Sequence, residues 1–271
     1  MSILPRMQEI DHISFSESLE QFAPVTLDEM DSVRLMNRID TKFLTNEHVL
    51  SELLDDAAAQ GYRALETDGL KINPYDSLYY DTDLLKMFQD HHNRRLVRQK
   101  VRTRSYLTSG LAFLEIKRKN NKGRTKKKRI GIPMSDFSDF RNNAQASDYL
   151  AAHSAYTKDQ ISPVLETLFN RITLVNSAMT ERLTIDTSLV FRNRRTGVEA
   201  SLEDAVIIEL KQDGRADSQM KRILLDHRVN PMRVSKYCIA VTLTDPNARC
   251  GRFRPKVRRI EKIINKKITV L

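Results

Sequence analysis

Val97-Arg98-Gln99-Lys100-Val101-Arg102-Thr103-Arg104-Ser105-Tyr106 is the stretch that decides the fold. From Lys100 to Arg104, every second residue is cationic. A period of two is the signature of a strand, whose successive side chains point to opposite faces. Lys100, Arg102 and Arg104 therefore share one face. Working outward, residues 112–119 place Glu115, Lys117 and Lys119 on a common face, and residues 125–132 line up Lys126 with Lys128. Asn120-Asn121-Lys122-Gly123-Arg124 between them has turn chemistry. The same alternation sets Arg38, Asp40 and Lys42 together, then Arg182, Thr184 and Asp186, and finally Glu209 with Lys211 between apolar neighbours.

Like charges side by side cost energy unless water or a ligand screens them. Surface strands normally mix signs, whereas these stripes are mostly cationic. A sheet curled into a barrel with the stripes inward would form a basic tunnel, a cradle for a polyanion. Most strands follow one another without an intervening helix, which argues against a doubly wound parallel sheet. The expected fold is α+β: an antiparallel β-barrel with a basic interior and helices packed outside. A helix capped by Thr45 or Asn46 carries Val49, Leu50, Leu53, Leu54 and Ala57 at helical spacing and stops at Gly61. Residues 1–33 read as a peripheral helical segment, and 34–271 as one domain ending in a basic helix at 256–267. Residues 135–171 read as mostly helical.

Length and charge narrow the function. The 271 residues carry a net charge of +10. Residues 91–129 hold fifteen Lys or Arg against the single acid Glu115, a local +14, so the remainder sums to −4. Such concentrated charge calls for an anionic partner. Two cysteines exclude a disulfide scaffold and a four-cysteine zinc site. The chain has no apolar run long enough to span a membrane and no signal-peptide core, so a cytoplasmic location is expected. Nucleic acid is disfavoured as the partner. Zinc-finger spacing, an RNA-binding aromatic motif and tryptophan are all missing. There is no Walker-type glycine loop either.

A carboxylate among phosphates needs a bridging cation, and Mg²⁺ or Mn²⁺ takes one or two carboxylates plus phosphate oxygens. Glu209 is the first candidate ligand, followed by Asp40 and Glu115. For Glu115 an ion pair with a neighbouring cation is the stronger reading. Tyr79, Tyr80, Phe43 and Tyr106 read as core residues.

The ordered set Tyr80-Asp81-Thr82, His91-His92-Asn93-Arg94-Arg95-Leu96, Lys100 to Tyr106, Leu114-Glu115-Ile116-Lys117-Arg118-Lys119, Glu181-Arg182-Leu183-Thr184-Ile185-Asp186, Ile208-Glu209-Leu210-Lys211 and Ser235-Lys236-Tyr237-Cys238 resembles the VTC domain. This is the polyphosphate polymerase domain of the vacuolar transporter chaperone type, within the triphosphate tunnel metalloenzymes or CYTH superfamily. The resemblance implies a β-barrel around a basic tunnel, and transfer of the γ-phosphoryl group of ATP to inorganic polyphosphate with Mn²⁺ or Mg²⁺. It places the phosphate- and nucleotide-binding set on Lys42, Arg102, Arg104, Lys117, Arg182 and Lys236, with Arg95. A further strand lysine falls on Lys128, or on Lys126 if the register shifts. Arg38, Lys119 and Lys211 extend the set as neighbours on the stripes. The metal-binding glutamate falls on Glu209, with Asp40 beside it as the weaker ligand. The superfamily's Glu-x-Glu-x-Lys signature reads here as Arg38-Ile39-Asp40-Thr41-Lys42, which weakens a two-metal hydrolase. A triphosphatase or polyphosphatase of the same fold, and a non-catalytic polyphosphate or inositol-polyphosphate binding domain, remain alternatives.

Overall fold

Period-two sequences become strands only when neighbours supply the hydrogen bonds and one face finds an apolar cover. The computed structural model describes residues 15–31, 38–214 and 217–271. Much of the predicted N-terminal helical segment, 1–14 and 32–33, lies outside them. What is described there is α1 (Ser16–Glu20), β1 (Ala23–Val25) and α2 (Leu27–Asp31). There follow β2 (Arg38–Asn46), α3 (Glu47–Ala59), β3 (Arg63–Leu65), β4 (Asn73–Asp81) and α4 (Lys86–His92). The antiparallel run β5 (Arg98–Tyr106), β6 (Leu111–Lys119) and β7 (Thr125–Ile132) leads to α5 (Ala144–His153). Two long strands, β8 (Ser162–Val175) and β9 (Glu181–Asn193), precede β10 (Glu199–Leu202) and β11 (Ala205–Asp213). The chain ends in α6 (Gln219–Asp226), α7 (Lys236–Thr244), α8 (Arg254–Ile263) and β12 (Thr269–Val270).

The strands form one sheet, whose main body runs β7-β6-β5-β4-β8-β9-β11-β2, antiparallel throughout. β10 continues beside the far half of β9 and carries β12, while β3 joins the end of β8 and pairs in parallel with β1. In a flat sheet β6 and β11 would lie about 24 Å apart, five strand spacings. Yet Lys117 on β6 feels the charge of Glu209 on β11, and Lys100 on β5 feels Lys42 on β2. The sheet is therefore strongly curled. Its end strands β7 and β2 do not pair with each other, so the expected barrel is an open one. Beyond β2, Phe43 bridges Pro231 and the Met232 N–H donates to the Lys42 carbonyl at 2.7 Å, covering that edge.

The convex face is the apolar one. Ile185, Ile208 and Leu210 pack against Leu50, Leu53 and Leu54 of α3 and Leu224 of α6. Leu78, Val101, Leu114 and Ile116 pack against Ala146 and Leu150 of α5. α3 starts where expected: the Asn46 side chain accepts from the Val49 N–H at 3.0 Å. The turn before β7 also forms, with Gly123 at φ 79°, a left-handed conformation that favours glycine. Two helices depart from the expected exterior position. α7 and α8 cover one end of the concave face, where Tyr237, Cys238, Val241 and Ile260 join Leu44, Phe169, Phe191 and Ile207.

The helical reading of 135–171 holds for α5 but fails from Ser162 onward, which belongs to β8. Most of β8 is buried, because β4 and β9 flank it and both faces are covered. A register shift between Leu168 and Asn170 also breaks its alternation. No described helix is long and apolar enough to cross a membrane.

Candidate functional site

Registers show which side chains share the concave face. Glu209 lies opposite Lys42 on one side and Thr184 on the other, and Lys211 lies opposite Asp40 and Arg182. Across the sheet Asp186 pairs with Arg171, Arg102 with Glu115, and Lys100 with Lys117. Lys236 enters from above as the first residue of α7, after the Ser235 side chain caps that helix. Thus Lys42, Arg102, Arg104, Lys117, Arg182, Glu209, Lys211 and Lys236, all chosen from sequence, converge on one concavity.

Three carboxylates organise the cations there. Asp186 receives a forked pair of hydrogen bonds from Arg171, at 2.6 and 2.9 Å, and an ion pair from Lys236 at 2.6 Å. Glu115 is fully buried and is shared by Arg102, at 2.5 and 2.8 Å, and Lys127. Glu209 sits between Lys42 at 3.6 Å and Lys211 at 3.0 Å, with its side chain 26% exposed. Burial opposes ionisation in all three. The adjacent cations outweigh it: Arg171 with Lys236, Arg102 with Arg104 and Lys127, and Lys42 with Lys211. Each carboxyl is held well below its usual range.

The cations still outnumber these acids. Arg104 donates to the Ser77 hydroxyl at 3.0 Å and lies over the Tyr75 ring, with no carboxylate of its own. Arg102 also donates to the Tyr79 hydroxyl at 3.1 Å. Lys100 donates to Ser235 at 3.0 Å. Lys117 has no hydrogen-bond or ion-pair partner among the described residues. Burial, reinforced by repulsion from Arg102 and Lys127, pushes its pKa down to about 6. A lysine amine with no hydrogen-bond or ion-pair partner, discharged by burial and by two neighbouring cations, regains its proton when an anion joins it, which fits an anion that arrives from solvent.

Other predicted residues fall elsewhere. On β7, Lys127 is opposite Lys117 and Arg129 opposite Glu115, so these two face the concavity. Lys126 and Lys128 are opposite Arg118 and Ile116 and face the convex side, a correction to both assignments. The cause is the run Lys126-Lys127-Lys128-Arg129, where unbroken charge leaves the register unreadable. Lys119, the last residue of β6, has the alternation of Glu115 and Lys117 but lies at the strand end, where it borders a groove formed mainly by the convex-side residues Arg118, Lys126 and Lys128. Arg95 is exposed in the loop before β5, and its carbonyl accepts from Arg98. Arg38 and Asp40 pair with each other near the exposed end of β2. Asp40 is thereby engaged, and the register puts Lys211, not Glu209, opposite it. Among the described residues no group of three or more His, Cys, Asp or Glu gathers as a metal cage. Sequence reasoning missed Arg171, hidden by the helical reading of β8. It also missed Tyr79 as a polar contact and Lys127, while Lys100 and Asp186 stood out only as members of stripes.

Solved structures align with this chain at low identity. A proposed adenylate cyclase from Bacillus halodurans aligns over 81% of this chain and 100% of its own, at 11% identity and TM-score 0.48. A proposed adenylyl cyclase from Hippeastrum, described as having a dominant triphosphatase activity, aligns over 76% and 95%, at 13% identity and TM-score 0.49. The PH1819 protein of Pyrococcus horikoshii aligns over 76% and 98%, at 12% identity and TM-score 0.42. No curated protein matches the sequence. The VTC domain model matches residues 37–244, well over half of the sequence, and the chain belongs to the VTC domain family.

Proposed function

We propose that this protein is a polyphosphate polymerase that transfers the γ-phosphoryl group of ATP to the end of an inorganic polyphosphate chain on the concave face. The observation that carries this reading is the unpartnered Lys117 beside Arg102 and Lys127, within a face where cations exceed carboxylates. Two polyanions must meet for the reaction, and their mutual repulsion is the main barrier. A preorganised cationic cradle removes that barrier without reorganising during the reaction. The attacking group, a terminal phosphate oxygen, is already ionised near neutral pH and needs no general base. Arg102 and Arg104 offer planar forks for phosphate oxygens; Lys42, Lys117, Arg182 and Lys236 complete the ring of positive charge.

Glu209 suits a divalent cation shared with substrate, because it is ionised and partly open to solvent. A single carboxylate plus substrate phosphates is an acceptable donor set for Mg²⁺ or Mn²⁺, whereas an all-protein cage is not available among the described residues. When bound, such an ion would neutralise charge on the transferred and leaving phosphates.

A hydrolase needs an activated water, which one more free carboxylate or a second metal ion would supply. Glu115, Asp186, Glu209 and Asp40 are all engaged in ion pairs, and the cations beside the first three keep them acidic against the effect of burial. This favours phosphate over water as the acceptor. Incubation with ATP and Mn²⁺ followed by gel analysis decides the matter. Long polymer and ADP are expected. Orthophosphate alone would establish a hydrolase, and bound but unreacted ATP a binding domain.

A further inference from the structure

On the convex side of β6 and β7 lies a second basic concavity that the proposed reaction does not use. It encloses about 400 Å³ over a floor of Val97 and Ile116. Arg118, Lys119, Arg124, Lys126 and Lys128 line it, and His153 from the end of α5 closes one side. The register sets Lys126 directly across from Arg118, one strand spacing away. None of these five cations has an ion-pair partner among the described residues. The nearby acid, Glu115, is on the opposite face, consumed by Arg102 and Lys127. Five cations around one groove without a carboxylate repel one another unless an anion occupies it.

We propose that this groove is a secondary site for an inorganic polyphosphate chain, holding the polymer outside the sheet. The inference rests on the polyphosphate reading above and extends it to a second surface. The strand between the two surfaces carries the argument. β7 is an end strand of the sheet, with Lys127 and Arg129 on its concave side and Lys126 and Lys128 on its convex side. A polyanion leaving the concavity over this edge would exchange one set of cations for the next. Nucleic acid fits less well, since the lining holds no tyrosine, phenylalanine or tryptophan on which a base could stack. A single orthophosphate is too small to engage five cations spread over two strands and a turn. A chain with about one charge per phosphate matches them.

The test uses the full chain with Arg118→Glu/Arg124→Glu, neither residue belonging to the concave face. Two probes are titrated over a range of salt: tripolyphosphate, and polyphosphate of about 100 units. The long chain is expected to bind the variant at least about tenfold more weakly, with a shallower salt dependence. Tripolyphosphate affinity, set by the concave face, should stay within about twofold. Unchanged long-chain affinity would overturn the proposal. So would an equal loss for both probes. Arg118→Gln/Arg124→Gln gives the same comparison if charge reversal impairs folding. If the unmodified protein makes no polymer from ATP yet its long-chain binding still depends on Arg118 and Arg124, the enzymatic reading fails and this site stands. If it makes polymer while chain binding is independent of the groove, the site fails and the enzymatic reading stands.

Discussion

Replacing Lys117 with methionine should make the empty protein more stable and the liganded protein weaker. Methionine keeps the apolar stem and removes the charge. The ordinary lysine pKa of 10.5 falls to about 6 in the fold, chiefly through burial and then through Arg102 and Lys127. At pH 7 the unfolded chain therefore holds a proton that the folded chain releases. The linkage ceiling is about 5 kcal/mol. Lys117 is only partly buried, and solvent screening reduces this to about 1–3 kcal/mol. For a chain of this size that is about 2–4 °C in Tm per kcal/mol. The sign with pH is fixed. The penalty is complete below the folded pKa and fades as pH rises towards the unfolded value, so the Tm gain of Lys117→Met shrinks between pH 7 and pH 10. Scanning calorimetry across that range reads it directly. Tripolyphosphate should raise the Tm of the unmodified protein more than that of the variant, because the bound anion restores the Lys117 ammonium and about tenfold or more in affinity is lost without it. A variant that melts lower than the unmodified protein, or a gain that does not change with pH, would refute the argument that burial among cations strips Lys117 of its proton at a cost to stability.

Other substitutions separate the roles of the remaining groups. Glu209→Gln should retain its circular dichroism spectrum and lose metal-dependent ATP turnover; full turnover would end its assignment as metal ligand. Asp186→Asn strands Arg171 and Lys236 in a buried site and should lower stability by about 3–5 kcal/mol in urea unfolding, whereas a loss under about 1 kcal/mol would show the triad to be solvated. Lys127→Ala should weaken tripolyphosphate binding and Lys128→Ala should not, as calorimetric titration can establish; the reverse order would invert the face assignment on β7. Glu115, Asp186 and Glu209 are held below their usual range, so they stabilise the fold above their unfolded pKa near 4 and the contribution is lost as pH falls below it. Acid titration of stability should show a steep decline there, blunted in Asp186→Asn.

The sheet is legible in the sequence because charges along most of β2, β5, β6, β9 and β11 alternate with apolar or small residues, despite the adjacent charges Lys117-Arg118-Lys119 and Glu181-Arg182 at strand ends. In each, a single register buries the apolar set, and the cationic set then has to share the other face. The legibility fails for identifiable reasons. β7 carries charge on both faces, so no register is preferred. β8 is covered on both faces and bulged, so it lacks the alternation that marks β5 as a strand, and Arg171 is hidden with it. The placement of α7 over the concave face depends on contacts between residues far apart in sequence, such as the stacking of Tyr79 on Tyr237 at 5.1 Å. Periodicity within one segment carries no record of such contacts. The ion-pair partners are hidden for the same reason. In sequence Asp186 looks like one member of a stripe, yet it holds Arg171 and Lys236 together.

The central claim is that the concave face binds and aligns phosphate chains. A crystal structure of the protein with tripolyphosphate and Mn²⁺ tests it most directly. The account predicts phosphate oxygens within hydrogen-bonding distance of Lys117, Arg104 and Lys236, and an anomalous manganese peak beside Glu209. Tripolyphosphate bound only on the convex side, with Lys117 still unliganded, would contradict it.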